Sequence, residues 1–509
     1  MVAKNGFHFS LANANAVVTR RGACSVAAIS CCLALTGFLQ TASAESMTEA
    51  LAQAYKTNSK LDAARATLRA TDEQVAIANS GYRPVISATT SAGVTDTTTR
   101  TNSGAVGISE NHPRSYGVTG TQTLFKGGQI TNTVRAAEAQ VRAARETLRG
   151  VEQQVLLDSS TAYLDVIRDL AIVSLRERNV KVLTEERKQT RERFAVGEVT
   201  RTDVAQSEAT LAAAVSALDL ARSVLQTSRA SFERNVGTAP GRLVEPKHIS
   251  RLLPRSLDDA VAISARENPN VVAALYLEQQ ARHTVDQIYG QLLPTAQLTA
   301  GISRSYDPGG ATSPAEVDTK SITGTISVPL YTGGAIEAQI RQAKQTHISR
   351  IQQIEQARTE TKSTVVSAWS NLVSARAQLV SDNIQVSSAR IALTGVREEE
   401  RVGQRTLLDV LNAEQVLLNA QVAAVTDVHN IAVATFNVLF TVGRLNIQEL
   451  GAVDTVYDAE QHYHEVRRQW WGISVTRADG RVETHDLWQT HGEKYSAQDD
   501  VEAWKPIKK

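Results

Sequence analysis

Cysteine is nearly absent. Only Cys24, Cys31 and Cys32 occur in 509 residues, all near the N-terminus. A mature chain that sheds this segment has no cysteine, which excludes a disulfide scaffold or a CxxC redox or zinc site. Aromatics are 5% and Met occurs twice, too few large side chains for a compact core of this size. Thin helices packed through small residues suit such a composition better. Charge of one sign is also missing, with 54 Lys and Arg against 53 Asp and Glu, so no basic field points to nucleic acid. After residue 44 no uninterrupted apolar run approaches the ~18 residues of a membrane-crossing helix. GxxxxGK, HExxH and nucleophile-elbow patterns are missing too. Nothing assembles a nucleophile, base, metal or cofactor site, so an enzyme is not expected.

What is present begins with a leader. Lys4, Arg20 and Arg21 precede an apolar stretch over 23–39, followed by TASA before Glu45, the pattern of a signal peptide cleaved after Ala44. A membrane anchor fits less well, because the stretch is short and a cleavage site follows. Neither the context of Arg20–Arg21 nor Ala28 before Cys31 favours a twin-arginine or lipoprotein signal. Removing 1–44 leaves 51 basic and 53 acidic residues, a net charge of −2.

The mature chain then says everything twice. VGEVTRTDV (196–204) returns as VGQRTLLDV (402–410), TLFKGGQI (123–130) as PLYTGGAI (329–336), and Ala162-Tyr163 as Ala368-Trp369, each 206 residues on. More than 110 residues align in this frame without a gap. Two repeats, 45–250 and 251–451, and a tail, 452–509, follow from it.

Within each repeat the period changes. Residues 295–306 and 322–330 alternate apolar with small polar side chains, and 85–95 and 116–126 do so more weakly; this is strand patterning, and about ten residues suit a tilted membrane strand. Loops are expected over about 95–115 and 307–320. The alternative is a surface hairpin on a helical protein. Elsewhere Val134, Ala137, Val141, Ala144 and Leu148, like Leu372, Ala375, Leu379 and Asp382, step three and four residues, giving heptad seams with close Ala contacts. Helices over about 128–195 and 334–400 would each run about 100 Å. Gly197 and Gly403 stop them, and Thr and Asp restart the chain as helix. Four strands cannot close a barrel, and open edges are not tolerated in lipid. Several chains must share one: two give eight strands, three give twelve and room for a pore.

The LYTGG strand-to-helix turn, the Ala-Tyr and Ala-Trp of the long helices and the doubled VGxxTxxDV tip resemble the TolC family of outer-membrane channels over about residues 46–450. The resemblance implies a mixed α and β membrane protein. Its homotrimer shares one twelve-stranded antiparallel barrel continued by a coiled-coil periplasmic tunnel in the outer membrane of a Gram-negative bacterium. It also implies a periplasmic adaptor (membrane fusion) protein and an inner-membrane ABC exporter or proton-driven pump as partners, and a passive export function in efflux or type I secretion. By motif position, Thr202, Asp203 and Arg405 match the family's aperture lock and Asp409 its acidic ring. Val196, Gly197, Val402 and Gly403 match the adaptor-docking tips. Two positions depart from the pattern: Glu400 stands for the lock tyrosine and Asn412 for the inner aspartate of the ring. Glu398, Glu399 and Glu400 offer another acidic collar, and Arg201 a second cation near Asp203.

The tail holds four of the five Trp and His462, His464, His485 and His491; it reads as a polar periplasmic segment, without a clear element and without a metal site, in which Trp470-Trp471 would either pack on the outside of the tunnel or touch a partner. Gly127-Gly128 and Gly333-Gly334 lack a P-loop Lys and read as barrel-to-tunnel turns. The rival reading is an exported periplasmic or surface coiled-coil structural protein or adhesin, which would need no membrane strands.

Overall fold

A computed structural model describes residues 46–245, 250–308, 315–453, 456–476 and 482–483. The leader, the centre of the second expected loop, and His485 and His491 lie outside these residues. The first repeat opens with α1 (Met47–Thr57) and α2 (Ser59–Ser80). Ser46 and Glu49 form a capping box at the first, and Asn58 closes one helix and caps the next. Strands β1 (Val85–Ala92), β2 (Thr95–Arg100), β3 (Val106–Asn111) and β4 (Arg114–Lys126) follow. Then come α3 (Gln129–Ala195) and α4 (Arg201–Val236). The second repeat gives α5 (Leu257–Glu267), α6 (Pro269–Tyr289), β5 (Thr295–Tyr306), β6 (Glu316–Ser327), α7 (Ala335–Arg401) and α8 (Leu407–Val442). The long helices are 67 residues each and the return helices 36. At 1.5 Å per residue the long ones run about 100 Å.

β1, β4, β5 and β6 form one antiparallel sheet in the order β1-β4-β5-β6, with β1 and β6 as its edges. Two expectations are corrected here. The first loop is largely a β2–β3 hairpin, because the Thr-rich run 95–100 pairs with 106–111. The last strand spans 316–327 rather than 322–330, because its whole length pairs with β5. The register sorts the side chains by face. Ile86, Gly120, Ala300 and Ile322 form one row, and Ala88, Val118, Ile302 and Lys320 the next. The opposite face carries Ser87, Thr89, Thr119, Gly301 and Ser321, small and polar. Toward the loop end the apolar face gives way to Tyr116, Tyr306 and Arg304, whose guanidinium meets Asp318 at 2.6 and 2.7 Å.

Each strand pair hands over to its long helix through two left-handed glycines, Gly127-Gly128 and Gly333-Gly334, with φ between 56 and 79°. A Cβ on Gly127 would lie 2.2 Å from the carbonyl oxygen of Gly290, so only glycine fits.

α3 packs on α4, and α7 on α8; α6 lies against both α3 and α7. The main core gathers Leu51, Leu61, Leu156, Tyr163, Phe232 and Leu439 from α1, α2, α3, α4 and α8. Tyr163 donates to the carbonyl of Val244 at 2.6 Å, which satisfies its buried hydroxyl. The second repeat has a smaller core around Ala260, Val365, Leu372 and Val438, with Trp369 packed beside it. By length and composition α8 passes as a membrane-crossing helix, although polar and charged residues such as Asp409, Glu414 and Asp427 interrupt its apolar runs. It lies against α7 and α3 in the helical bundle, with Leu411, Leu418 and Leu439 buried.

Part of the tail lies against the helices. Residues 456–476 include α9 (Gln461–Val466), and they lie along α1, α2 and α3 through specific contacts.

Candidate functional site

The tips stand at the far ends of the long helices from the sheet. At the first, α3 ends at Ala195 and Gly197 takes φ 82°; at the second, α7 ends at Arg401 and Gly403 takes φ 78°. The backbone closures correspond bond for bond. Gly197 and Glu198 donate to Phe194 and Arg193 at 3.0 and 2.9 Å, and Gly403 and Gln404 to Glu400 and Glu399 at 2.9 and 2.8 Å. Thr200 and Thr406 then cap the return helices. The carboxylate of Asp203 accepts from the backbone N–H and hydroxyl of Thr200, both at 2.8 Å; Asp409 does the same at Thr406, at 3.0 and 2.8 Å. Asp203 and Asp409 are therefore capping-box residues before they are anything else. The Thr406 N–H, and then its hydroxyl, hold the Asp409 carboxyl below the ordinary aspartate range.

The charges do not correspond in the same way. Arg193 pairs with Glu198 at 3.3 Å in the first tip, while Arg405 pairs with Glu399 at 2.9 Å in the second. Residues 193 and 399 are equivalent in the 206-residue frame, so Arg occupies in one tip the position Glu occupies in the other. Within the chain, Arg405 is thus engaged by Glu399 and does not meet Asp203. Thr202 and Asn412 stand exposed. At the tips, the bond that joins the two hairpins among the described residues is Arg193 to Glu400, 2.7 Å long. It was not foreseen, because Arg193 matches no lock position; Glu400, read only as a departure, supplies its acidic half.

One turn further in, a repeated pair bridges each hairpin: Arg191 with Glu208, and Arg397 with Glu414. The common offset of 206 was the available signal. Between them Glu186 sits among Arg193, Arg397, Glu400 and Glu414, and burial raises its pKa above the ordinary glutamate value. Burial raises that of Glu414 as well, opposed by the Arg397 charge. Apolar side chains face out around these charges, with Phe194, Val196, Val402 and Leu408 exposed. Arg201 forms no ion pair among the described residues, and Glu398 pairs with Arg401 at 3.2 Å. Among the described residues no cluster of three His, Cys, Asp or Glu side chains has metal-binding geometry.

The chain thus consists of two long helical hairpins that carry a two-faced sheet at one end and paired, charge-linked tips at the other. Residues 50–238 and 262–443 match the model of the outer membrane efflux protein family, and the chain belongs to that family. It is similar to the outer membrane efflux protein BepC of Brucella suis, with 39% identity over 449 residues, 88% of this chain and 95% of that protein. It is also similar to the outer membrane protein TolC of Salmonella enteritidis, at 26% over 435 residues, 83% and 87% of the two chains. Among solved structures, the Campylobacter jejuni CmeC outer membrane channel superposes with a TM-score of 0.70 at 17% identity, covering 83% of this chain and 89% of that one. The fold is therefore that of the TolC-like channels, and the protein is an outer-membrane export channel of a Gram-negative envelope, with its long helices on the periplasmic side. The family is one of transport channels.

Proposed function

We propose that three copies of this chain build one duct, in which twelve strands close a barrel and the helices form a periplasmic tunnel. The observation that carries this reading is the division of the sheet: an apolar face, a Ser/Thr/Gly face and two unpaired edges. Such a sheet is stable in lipid only when its edges meet other strands. A second stripe on α7 supports the same assembly. Val373, Val380, Ile384 and Ile391 stand more than half exposed on a single chain, at the heptad spacing that a neighbouring helix would fill.

The duct passively carries substrates delivered by an inner-membrane pump through a periplasmic adaptor. The exposed apolar tips around Val196, Gly197, Val402 and Gly403 are the adaptor's docking points. Efflux and type I secretion share this outer part. The aperture has two kinds of tie. Arg193–Glu400 holds the two hairpins of one protomer together, and Arg405 leaves Glu399 to meet Thr202 and Asp203 of the next protomer when the ring is shut. Asp409 adds a single acidic layer, since Asn412 replaces the second, so block by multivalent cations is expected to be weak. Each tie is worth about 1 kcal/mol or less at such a wet site, but threefold symmetry applies it three times.

Single-channel conductance in planar bilayers tests the reading. Purified trimer is expected to give small discrete steps, enlarged in Arg193→Ala/Glu400→Ala. Equal steps in both proteins would remove this tie from the gate, and the absence of steps from folded protein would remove the channel.

A further inference from the structure

After Gly443 the chain does not leave the molecule. Leu445 and Ile447 are buried in the main core, and the tail then runs along α1, α2 and α3 toward the sheet, gripping them at successive levels. The backbone N–H of Tyr457 donates to the Tyr55 hydroxyl at 3.1 Å, and the Arg65 guanidinium lies 4.7 and 5.1 Å from the Tyr55 and Tyr457 rings. Higher up, His462 Nδ1 is 3.1 Å from the buried Asp72 carboxylate, and Glu460 meets Arg145 at 2.5 Å. Arg467 reaches Glu138 at 2.9 Å while its carbonyl accepts from Asn79 at 3.4 Å. At the top, Arg83 donates to the Gln469 carbonyl at 2.6 Å and lies 4.8 Å from the Trp470 ring.

This ladder ends in an exposed apolar cluster. Trp470 is 71% and Trp471 88% exposed, with Ile473 and Val475 close behind them and also open. So many contacts holding a strap in place would be unexpected if its end were meant to be hidden. Its position explains the exposure. Arg83 is two residues before Val85, where β1 begins, and the apolar sheet face starts at Ile86. The same end of the sheet exposes Tyr82, Phe125, Leu330 and Tyr331. The cluster therefore lies at the end of the sheet where the strands meet the helices, next to Arg83 and the start of β1, with Arg468 close by in the chain.

We propose that residues 456–475 are an anchoring strap, and that Trp470 and Trp471 seat in the phospholipid headgroup layer on the periplasmic side of the outer membrane. Indole rings favour that layer because they join an apolar body to a polar N–H. The Arg83 and Arg468 guanidinium groups complement lipid phosphates there. The strap fixes the height of the barrel in the bilayer at a point outside the strands. This inference rests on the barrel reading above.

The test uses the full-length trimer in vesicles of phosphatidylethanolamine and phosphatidylglycerol containing lipids brominated at defined chain depths. Tryptophan emission is compared with that of Trp470→Phe/Trp471→Phe, so that the difference reports these two rings. A conductance trace is recorded on the same preparations. The expected difference spectrum is blue-shifted, and is quenched more by bromine near the carbonyl end than by bromine near the chain terminus. The unmodified protein and the variant should conduct alike. A water-like, unquenched difference spectrum in a conducting trimer overturns the strap while leaving the barrel intact. Quenching of that kind only after a periplasmic protein is added would also overturn it, assigning the cluster to a protein partner. Loss of both conductance and vesicle association would overturn the barrel and the strap together. Trp470→Ser/Trp471→Ser, which removes the rings altogether, should lower the temperature at which the trimer is extracted from the vesicles; an unchanged value in a quenched protein would deny the rings an anchoring role.

Discussion

The two hairpins share a backbone and differ in what covers them. Both have a 67-residue helix, a left-handed glycine, a Thr–Asp capping box and a 36-residue return helix. The first is wrapped by α1, α2 and the tail, and its long helix buries Val155, Leu156, Ala162, Tyr163, Leu164 and Val166 close together. The second is bare along much of its length, and α7 leaves Val380 63% and Ile384 62% exposed. At the tips the contrast is electrostatic, with Arg193 in one hairpin where Glu399 stands in the other. Repetition fixed the geometry, while divergence distributed the surfaces: one hairpin is largely covered within its own chain, and the long helix of the other leaves an apolar stripe open.

The largest effect should come from attacking the bare stripe. Val380→Glu/Ile384→Glu puts six charges per trimer where apolar side chains of about 1.5–3 kcal/mol each would be buried. Native mass spectrometry should then show monomers, and the outer-membrane fraction should lose the protein. The same double change at the exposed Leu220 and Val224 of α4 would sharpen the comparison: equal disruption there would mean that both hairpins meet neighbours equally, and that the contrast drawn between them is wrong.

A smaller loss is expected at the tip glycines. Each adopts a positive φ with open space around its Cα, so Gly197→Ala and Gly403→Ala carry only the conformational penalty of about 1 kcal/mol. Thermal unfolding of the two variants should agree closely, because the backbone closures are equivalent. A much larger loss at Gly403 alone would show that this tip also bears packing that the first lacks.

The smallest effect is the response to pH. The Asp409 pKa is lowered, so its cap contributes above the unfolded value of 3.8 and is lost as pH falls through the folded value beneath it. Glu186 and Glu414 are raised above 4.5, so their contribution is greatest below that value and fades as pH rises through the raised pKa values. The melting temperature should therefore hold or rise slightly from neutral pH toward 4.5 and drop only below 3.8. Glu414→Gln should flatten the rise and Asp409→Asn soften the drop. A steady fall from neutral pH, unchanged in both variants, would contradict this assignment.

The elements with long periods were legible. The helices expected over 128–195 and 334–400 were found at Gln129–Ala195 and Ala335–Arg401, because heptads bounded by glycine leave little freedom. The β2–β3 hairpin was not, since Thr, Ser and Gly mark a loop as readily as an exposed strand. The tip glycines and caps were also read from local spacing. Arg193–Glu400 was not, because it joins residues 207 apart on different hairpins. The strap was hidden for the same reason: its contacts at Asp72, Glu138 and Arg145 lie 390, 325 and 315 positions from their partners. Short-range physics writes itself into spacing; ion pairs between distant helices do not.

If other copies of the chain complete the sheet edges, cysteines on the two edges should cross-link between protomers. The chain after residue 44 has no cysteine, so Thr89→Cys on β1 can be combined with Thr319→Cys, Ser321→Cys or Thr323→Cys on β6 without background. In one chain these edges are three strand spacings apart, about 14 Å, beyond the ~7 Å Cα separation that a disulfide tolerates. Oxidation in the membrane should give covalent dimers and trimers on a denaturing gel for at least one pair, with the trimer as the largest product. Only monomers for all three pairs, in protein that still reaches the outer membrane, would contradict a barrel shared between chains.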